Sequence, residues 1–381
     1  EFLLSDPDFL LRVHNEPAGT EPGDVYPLSD LEVASRLSFF LWSSIPDDEL
    51  LDIAERGLLT DPEILDQQVK RMLEDPRAVD ALVEGFAAQW LNLRRVGEVI
   101  VDPLRYPSYD ESLLEAFQHE TEMFVGETLR RDRSVLELLT ADYTYVNERL
   151  ARHYGISGVY GSRFRRVSLP DLQQRGGLLA HGGLMAATSY PDRTSPVLRG
   201  KWVMEVLLGT PPPPPPPGIP DLEETEGSEE GRLLTTRERM ALHSENPSCN
   251  SCHRFMDPIG LVLDNFGVSG KWRARENGTA LDTRSELYDG TPIETAADLT
   301  RALLNRPIPL VRNFTENLMA YALGRRLEYY DQPTVRDITN QAEVNDYRLS
   351  SFIVGIVKSD AFQMQRAGVS VEIPLNEQEI H

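Results

Sequence analysis

Cys249-Asn250-Ser251-Cys252-His253 is the stretch on which this sequence turns. Two cysteines separated by two residues, with a histidine directly after the second, form the pattern that attaches a c-type haem. The chemistry accounts for the spacing. Each thiol adds to one vinyl group of the porphyrin and leaves a thioether, and the next residue, His253, then lies beneath the ring with an imidazole nitrogen for the iron. These are the only two cysteines in 381 residues. Three other readings compete: a redox dithiol, a structural disulfide and half of a zinc site. A thioredoxin-type dithiol goes with a βαβ pattern, and none is visible. A zinc site takes four ligands, and there is no second Cys/His pair. The expectation is one covalent haem c held by Cys249, Cys252 and His253.

Working outward, the length predicts two or three packed units. Hydrophobic residues make up 40% of the chain, enough for real cores, and the net charge is −23 with a pI near 4.7. Such a surface repels phosphate backbones, which disfavours nucleic acid as a partner. It attracts a basic electron-transfer partner. No apolar run approaches the ~18 residues of a membrane span. Glu1 stands where an initiator Met would, and no signal peptide is visible, which reads as a processed or excised product. Because haem is attached covalently outside the bacterial cytoplasm, the expected location is periplasmic or extracellular.

The upstream text is helical. Ser29-Asp30 reads as an N-cap before Leu31, Val33, Ala34, Leu37, Phe40 and Leu41, an apolar stripe at helical spacing. Pro46-Asp47-Asp48-Glu49, Asp61-Pro62-Glu63 and Asp75-Pro76 open three further helices, the last reaching Trp90. A long helix comes next, with Leu113, Leu114, Phe117, Phe124, Val125 and Leu129 on one face. His119, Glu120 and Glu122 read as its solvated side rather than a metal cluster. Asp142–Asn147 is a short extended piece, residues 156–175 a loop or small hairpin, and His14 and His153 read as structural. Residues 176–190 are apolar and rich in small side chains, the composition of a segment packed against something flat or bulky. Seven consecutive prolines, Pro211 to Pro217, predict a polyproline II rod spanning ~20 Å. The expected division is a helical domain over 1–210, a linker over 211–231 and a haem domain over 232–381.

In that last part a helix is expected from Thr235 to His243, then the pentapeptide, loops and short strands over 270–293, and helices near 295–305, 308–324, 332–343 and 347–358. Phe314, Leu318 and Tyr321 share one face of the second of these. The order resembles a class I cytochrome c, in which a closing helix crosses the first and the irregular middle supplies a sixth iron ligand. Between His253 and Phe314 the only Met or His is Met256, three residues past the proximal ligand and badly placed for the opposite face. Met256 and His243 are therefore candidates for contact with the haem. The sixth ligand is drawn from His181, His243, Met185, Met319 and Tyr321, or the position is open.

Four stretches carry a wider resemblance. They are Arg36–Leu50, Thr194–Trp202 with Gly209-Thr210 and the prolines, Cys249–Gly260, and Tyr321–Arg325 with Tyr329-Tyr330-Asp331. Together they resemble planctomycete and myxobacterial cytochrome-like proteins with consecutive domains of unknown function 1595, 1592, 1588 and 1585. The resemblance implies an exported c-type haem protein and no settled activity. It leaves two functional readings. In the first, the chain is a haem-dependent oxidoreductase in which peroxide, oxygen or an organic substrate meets iron, with Arg193 or Arg199 polarising the oxidant and His181 or Tyr190 moving protons. In the second it is a non-catalytic electron-transfer cytochrome docking on a redox partner, or the haem-bearing module of a surface assembly.

Overall fold

A computed structural model describes residues 16–169, 175–213, 228–229, 232–244 and 247–367. The mainly helical expectation is met. Strand β1 (Val25–Pro27) leads to helix α1 (Asp30–Trp42), whose start is a reciprocal cap. The Ser29 hydroxyl accepts the Glu32 N–H at 3.3 Å, and the Glu32 carboxylate accepts the Ser29 N–H at 2.8 Å, which satisfies two donors that the first turn leaves orphaned. Helices α2 (Asp48–Glu55), α3 (Pro62–Glu74) and α4 (Pro76–Ala81) begin at Asp47, Asp61 and Asp75, each accepting a backbone N–H of its first turn. Instead of running evenly to Trp90, α4 widens into a π-helical turn, Leu82–Ala87.

Asp110 caps the long α5 (Glu111–Arg130). Strand β2 (Tyr143–Val146) precedes α6 (Glu148–Tyr154), which ends on Gly155 at φ 74°, a left-handed conformation that suits glycine. Strand β3 (Arg165–Ser168) pairs antiparallel with β2, Tyr143 opposite Ser168, so residues 156–169 are no separate hairpin. Then come α7 (Gly182–Ala187), α8 (Pro196–Trp202), α9 (Thr236–Ser244) and α10 (Pro247–Leu261). Further along come α11 (Ala296–Leu304), α12 (Ile308–Leu323), α13 (Gln332–Val344), α14 (Leu349–Val357) and the single turn α15 (Asp360–Gln363). Strand β4 (Met364–Arg366) returns to pair antiparallel with β1, Val25 opposite Arg366.

One apolar cluster runs through the chain from Leu28 to Phe362 and takes in Phe117, Leu184, Leu263 and Phe314. The cluster takes in residues on both sides of the expected 211–231 linker. Phe86 and Trp90 stack at 5.8 Å, and both meet the Phe314 ring of α12, at 5.5 and 5.2 Å. The widened turn of α4 thus presents two rings to a helix more than 200 residues further on. Pro214–Pro217, and with them the expected rod, lie outside the described residues.

Helix α10 crosses α8, a helix from upstream in the chain. The crossing is backbone on backbone. A Cβ at Gly200 would overlap the Met256 carbonyl, and one at Gly260 the Pro196 carbonyl. The fully buried Arg199 completes the joint. Its Nη1 donates to the Leu263 carbonyl at 2.7 Å and its Nη2 to Ser189 Oγ at 3.1 Å. The Asp264 carboxylate stands 3.7 Å away and takes a hydrogen bond from Arg273 at 3.0 Å. Burial depresses the Arg199 pKa to about 10.

Glu120 is buried and not on a solvated face. Thr144 donates to one of its oxygens at 2.6 Å and Tyr154 to the other at 2.5 Å, while Tyr154 Oη accepts the Gly182 N–H at 2.8 Å. The Arg175 guanidinium lies 3.7 Å from the centre of the Tyr154 ring, a cation–π contact. His153 Nε2 bonds the Ser269 carbonyl at 2.8 Å and Arg175 the Gly270 carbonyl at 2.9 Å. Burial raises the Glu120 pKa to about 7, against the pull of its two hydroxyl partners.

Two outcomes are expected. Gly260→Ala has no side chain to displace, only a carbonyl, so it should cost at least the ~1–3 kcal/mol of core overpacking, read as a fall in Tm. For Glu120, the ordinary unfolded pKa is about 4.3. As pH rises, the unfolded chain ionises first, so this group's favourable contribution is present at low pH and is lost between about pH 4 and 7. Glu120→Gln should flatten the pH dependence of Tm in that window, by up to about 1.4 kcal/mol per unit of raised pKa.

Candidate functional site

The pentapeptide forms the first turns of α10. Positions 249, 252 and 253 are spaced by three and four residues and share one face of a helix. The expectations on the side chains of His243, Cys249 and Cys252 lie outside the described residues. His253 is described, and its surroundings are informative. Its Nδ1 lies 3.0 and 3.2 Å from the two carboxylate oxygens of Asp257, one turn further along the helix. A carboxylate only accepts, so Nδ1 carries the hydrogen and the neutral ring has its lone pair on Nε2. The hydrogen bond to Asp257 raises the His253 pKa, while burial opposes it. Asp257 was absent from the sequence-based candidates. Its signal was the four-residue interval from His253, which on a helix brings two side chains together.

His253 and Asp257 border a cavity of about 320 Å3, whose other walls include Met240 and Arg237 of α9, Arg254 and Leu261. Ligand sites run upward from ~300 Å3, so the space is small but sufficient for part of a planar group. Arg237 is held by the carbonyls of Asp282 and Arg284, each at 2.7 Å. Among the described residues, which do not include the two cysteine side chains, no group of three or more His, Cys, Asp or Glu stands ready for a bare metal ion. A single histidine meets the needs of an iron that arrives with four ring nitrogens of its own, so His253 is compatible with a haem.

The other candidates lie elsewhere. Met256 is buried where its carbonyl passes beneath Gly200, and it does not line the cavity. His181 is buried, with Nδ1 3.0 Å from Thr121 Oγ1 and its ring edge-on to Phe124 at 4.8 Å; burial lowers its pKa to about 3. Met185 and Met319 are fully buried core residues. Tyr321 packs its ring on Phe40 and Phe86, at 6.0 and 5.9 Å. Arg193 pairs with Asp192 at 3.2 Å and lies over the half-exposed Tyr190 ring at 4.5 Å. None of His181, Tyr190 and Arg193 lines the cavity beside His253, and neither do Met185, Met319 and Tyr321. Arg199, the second choice for polarising an oxidant, is the buried brace between α8 and the end of α10. The small-residue segment does pack against something flat: Gly182 and Gly183 sit against the Phe117 ring.

No helix among the described residues is long and apolar enough to cross a membrane. No curated protein and no solved structure matches the chain. Three family models match successive stretches. Residues 28–156 match a protein of unknown function (DUF1592), residues 175–276 a protein of unknown function (DUF1588) and residues 289–362 a protein of unknown function (DUF1585). DUF1595, which the resemblance placed ahead of them, is not found. The chain is therefore similar, in this order, to three families whose function is unnamed, and the pentapeptide, His253 and Asp257 all fall in the DUF1588 stretch.

Proposed function

We propose that the protein is a mono-haem c-type redox protein, exported to the periplasm or beyond, that exchanges electrons with a partner of basic surface. The observation that carries the reading is the pairing of His253 with Asp257 beside a cavity, with Cys252 directly before His253 and Cys249 one helical turn before it. Cys249 and Cys252 would hold the ring by thioethers and His253 would bind the iron through Nε2. The haem would supply one-electron chemistry. The chain's own part is to orient the ligand, through Asp257, and to place it on a helix that cannot slide, through the glycine crossing with α8. Arg237 and Arg254 bring positive charge to the cavity wall, which suits the two propionates of a haem. The net charge of −23 favours a basic redox partner.

Electron exchange is preferred to oxidoreductase catalysis on one ground. An acid–base step needs groups within hydrogen-bond reach of the reacting atoms, and His181, Tyr190 and Arg193 do not line the space beside His253. The oxidoreductase reading, with a small-molecule oxidant as partner, stands second. It is favoured by Arg237 and Arg254 in the cavity wall, where an anionic or peroxidic ligand would be polarised, although Asp257 and Glu286 line the same space.

Expression in a host that matures c-type haem should yield a red protein that keeps its haem on a denaturing gel. Cys249→Ala with Cys252→Ala should abolish that haem stain. A stain that survives the double change, or a protein that takes up no haem under those conditions, overturns the reading. A low-spin spectrum unaltered by CO favours electron exchange; a high-spin spectrum that CO or peroxide shifts favours catalysis.

A further inference from the structure

Building on the haem reading, we infer that Asp257 is a positioning residue for the iron ligand, one that lowers the potential of the site by making His253 a stronger electron donor. The histidine that binds a metal usually gives its second N–H to an outer partner, and a carboxylate partner raises the basicity of the ligating nitrogen. A more basic axial imidazole stabilises ferric over ferrous iron, and hydrogen bonding around the axial ligand is one of the levers that set haem potentials. Here the partner is charged, close and confined. Both Asp257 oxygens lie within 3.2 Å of Nδ1, and the two side chains are 18% and 14% exposed. They are also on one helix, so their spacing does not depend on a loop.

Two cations near the pair have partners of their own: Arg237 donates to the carbonyls of Asp282 and Arg284, and the Arg254 guanidinium lies over the Phe255 ring at 4.6 Å. The rigid crossing of α10 with α8 adds a constraint on rotation, since the helix carrying both residues is fixed at Gly200 and Gly260. The site that results is electron-rich, suited to giving electrons to an oxidised partner or a bound oxidant rather than to drawing them.

The test is a potentiometric titration of the haem-loaded protein. Asp257→Asn keeps the size and removes the charge, and its midpoint potential should move to a more positive value. Asp257→Glu keeps an anionic acceptor and should stay nearer the native value. An Asp257→Asn protein that loads haem at the native potential overturns the inference while leaving the haem reading intact. A native protein without haem removes both. If Asp257→Asn does not fold, His253→Gly with added imidazole takes its place. Loss of an outer partner costs ~10–100-fold in affinity, so imidazole, which has an N–H for Asp257, should bind about 10-fold or more tightly than 1-methylimidazole, which has none. Equal binding of the two overturns the inference.

Discussion

The contact on which the rest depends is the close approach of two helices at Gly200 and Gly260. Each glycine lies against a carbonyl of the opposite helix, which leaves no room for a side chain on either. Close-packed interiors do not yield to small displacements, so helix α10 has one seating. Arg199 then ties that seating to the chain just beyond the helix. Buried away from water, it donates to the carbonyl of Leu263, two residues past the helix end, where backbone acceptors are otherwise orphaned. A buried guanidinium costs several kcal/mol unless it is paired and hydrogen-bonded, and Asp264, held in turn by Arg273, provides the counter-charge. Helix α10 is thereby anchored on one side by steric fit and at its end by charge.

A second set of bonds joins the stretch over 28–156 to the stretch over 175–276. Tyr154, held by Glu120, accepts from Gly182, His153 reaches Ser269, and Arg175 lies over the Tyr154 ring. Gly270 sits at φ 69° directly on the Gly182 backbone, where a Cβ would collide. These are polar groups in a dry setting, and each is costly if left without its partner. They make the relative placement of the two stretches specific, whereas apolar packing alone tolerates more than one arrangement.

What could be read in advance was what is local. Ser29, Asp47, Asp61 and Asp75 announce helix starts because a short oxygen-bearing side chain needs only the N–H groups two or three residues on. The apolar stripes of the downstream helices were legible for the same reason. Distant pairings were not. Nothing in Val25–Pro27 or Met364–Arg366 names the other, and neither does Tyr143–Val146 name Arg165–Ser168. The burial of Glu120 was hidden because its helix position looked polar, and the hydroxyls that receive it come from residues 144 and 154. Gly200 and Gly260 signal close approach without saying to what. Asp257 is the instructive omission. Its four-residue spacing from His253 is as local as any cap, but a carboxylate that meets a histidine carries no motif of its own.

Strands β1 and β4 lie side by side, so the polypeptide enters and leaves this body through neighbouring points on one edge. The first and last described strands thus depend on one another, and loss of either would bare the hydrogen-bonding edge of its partner.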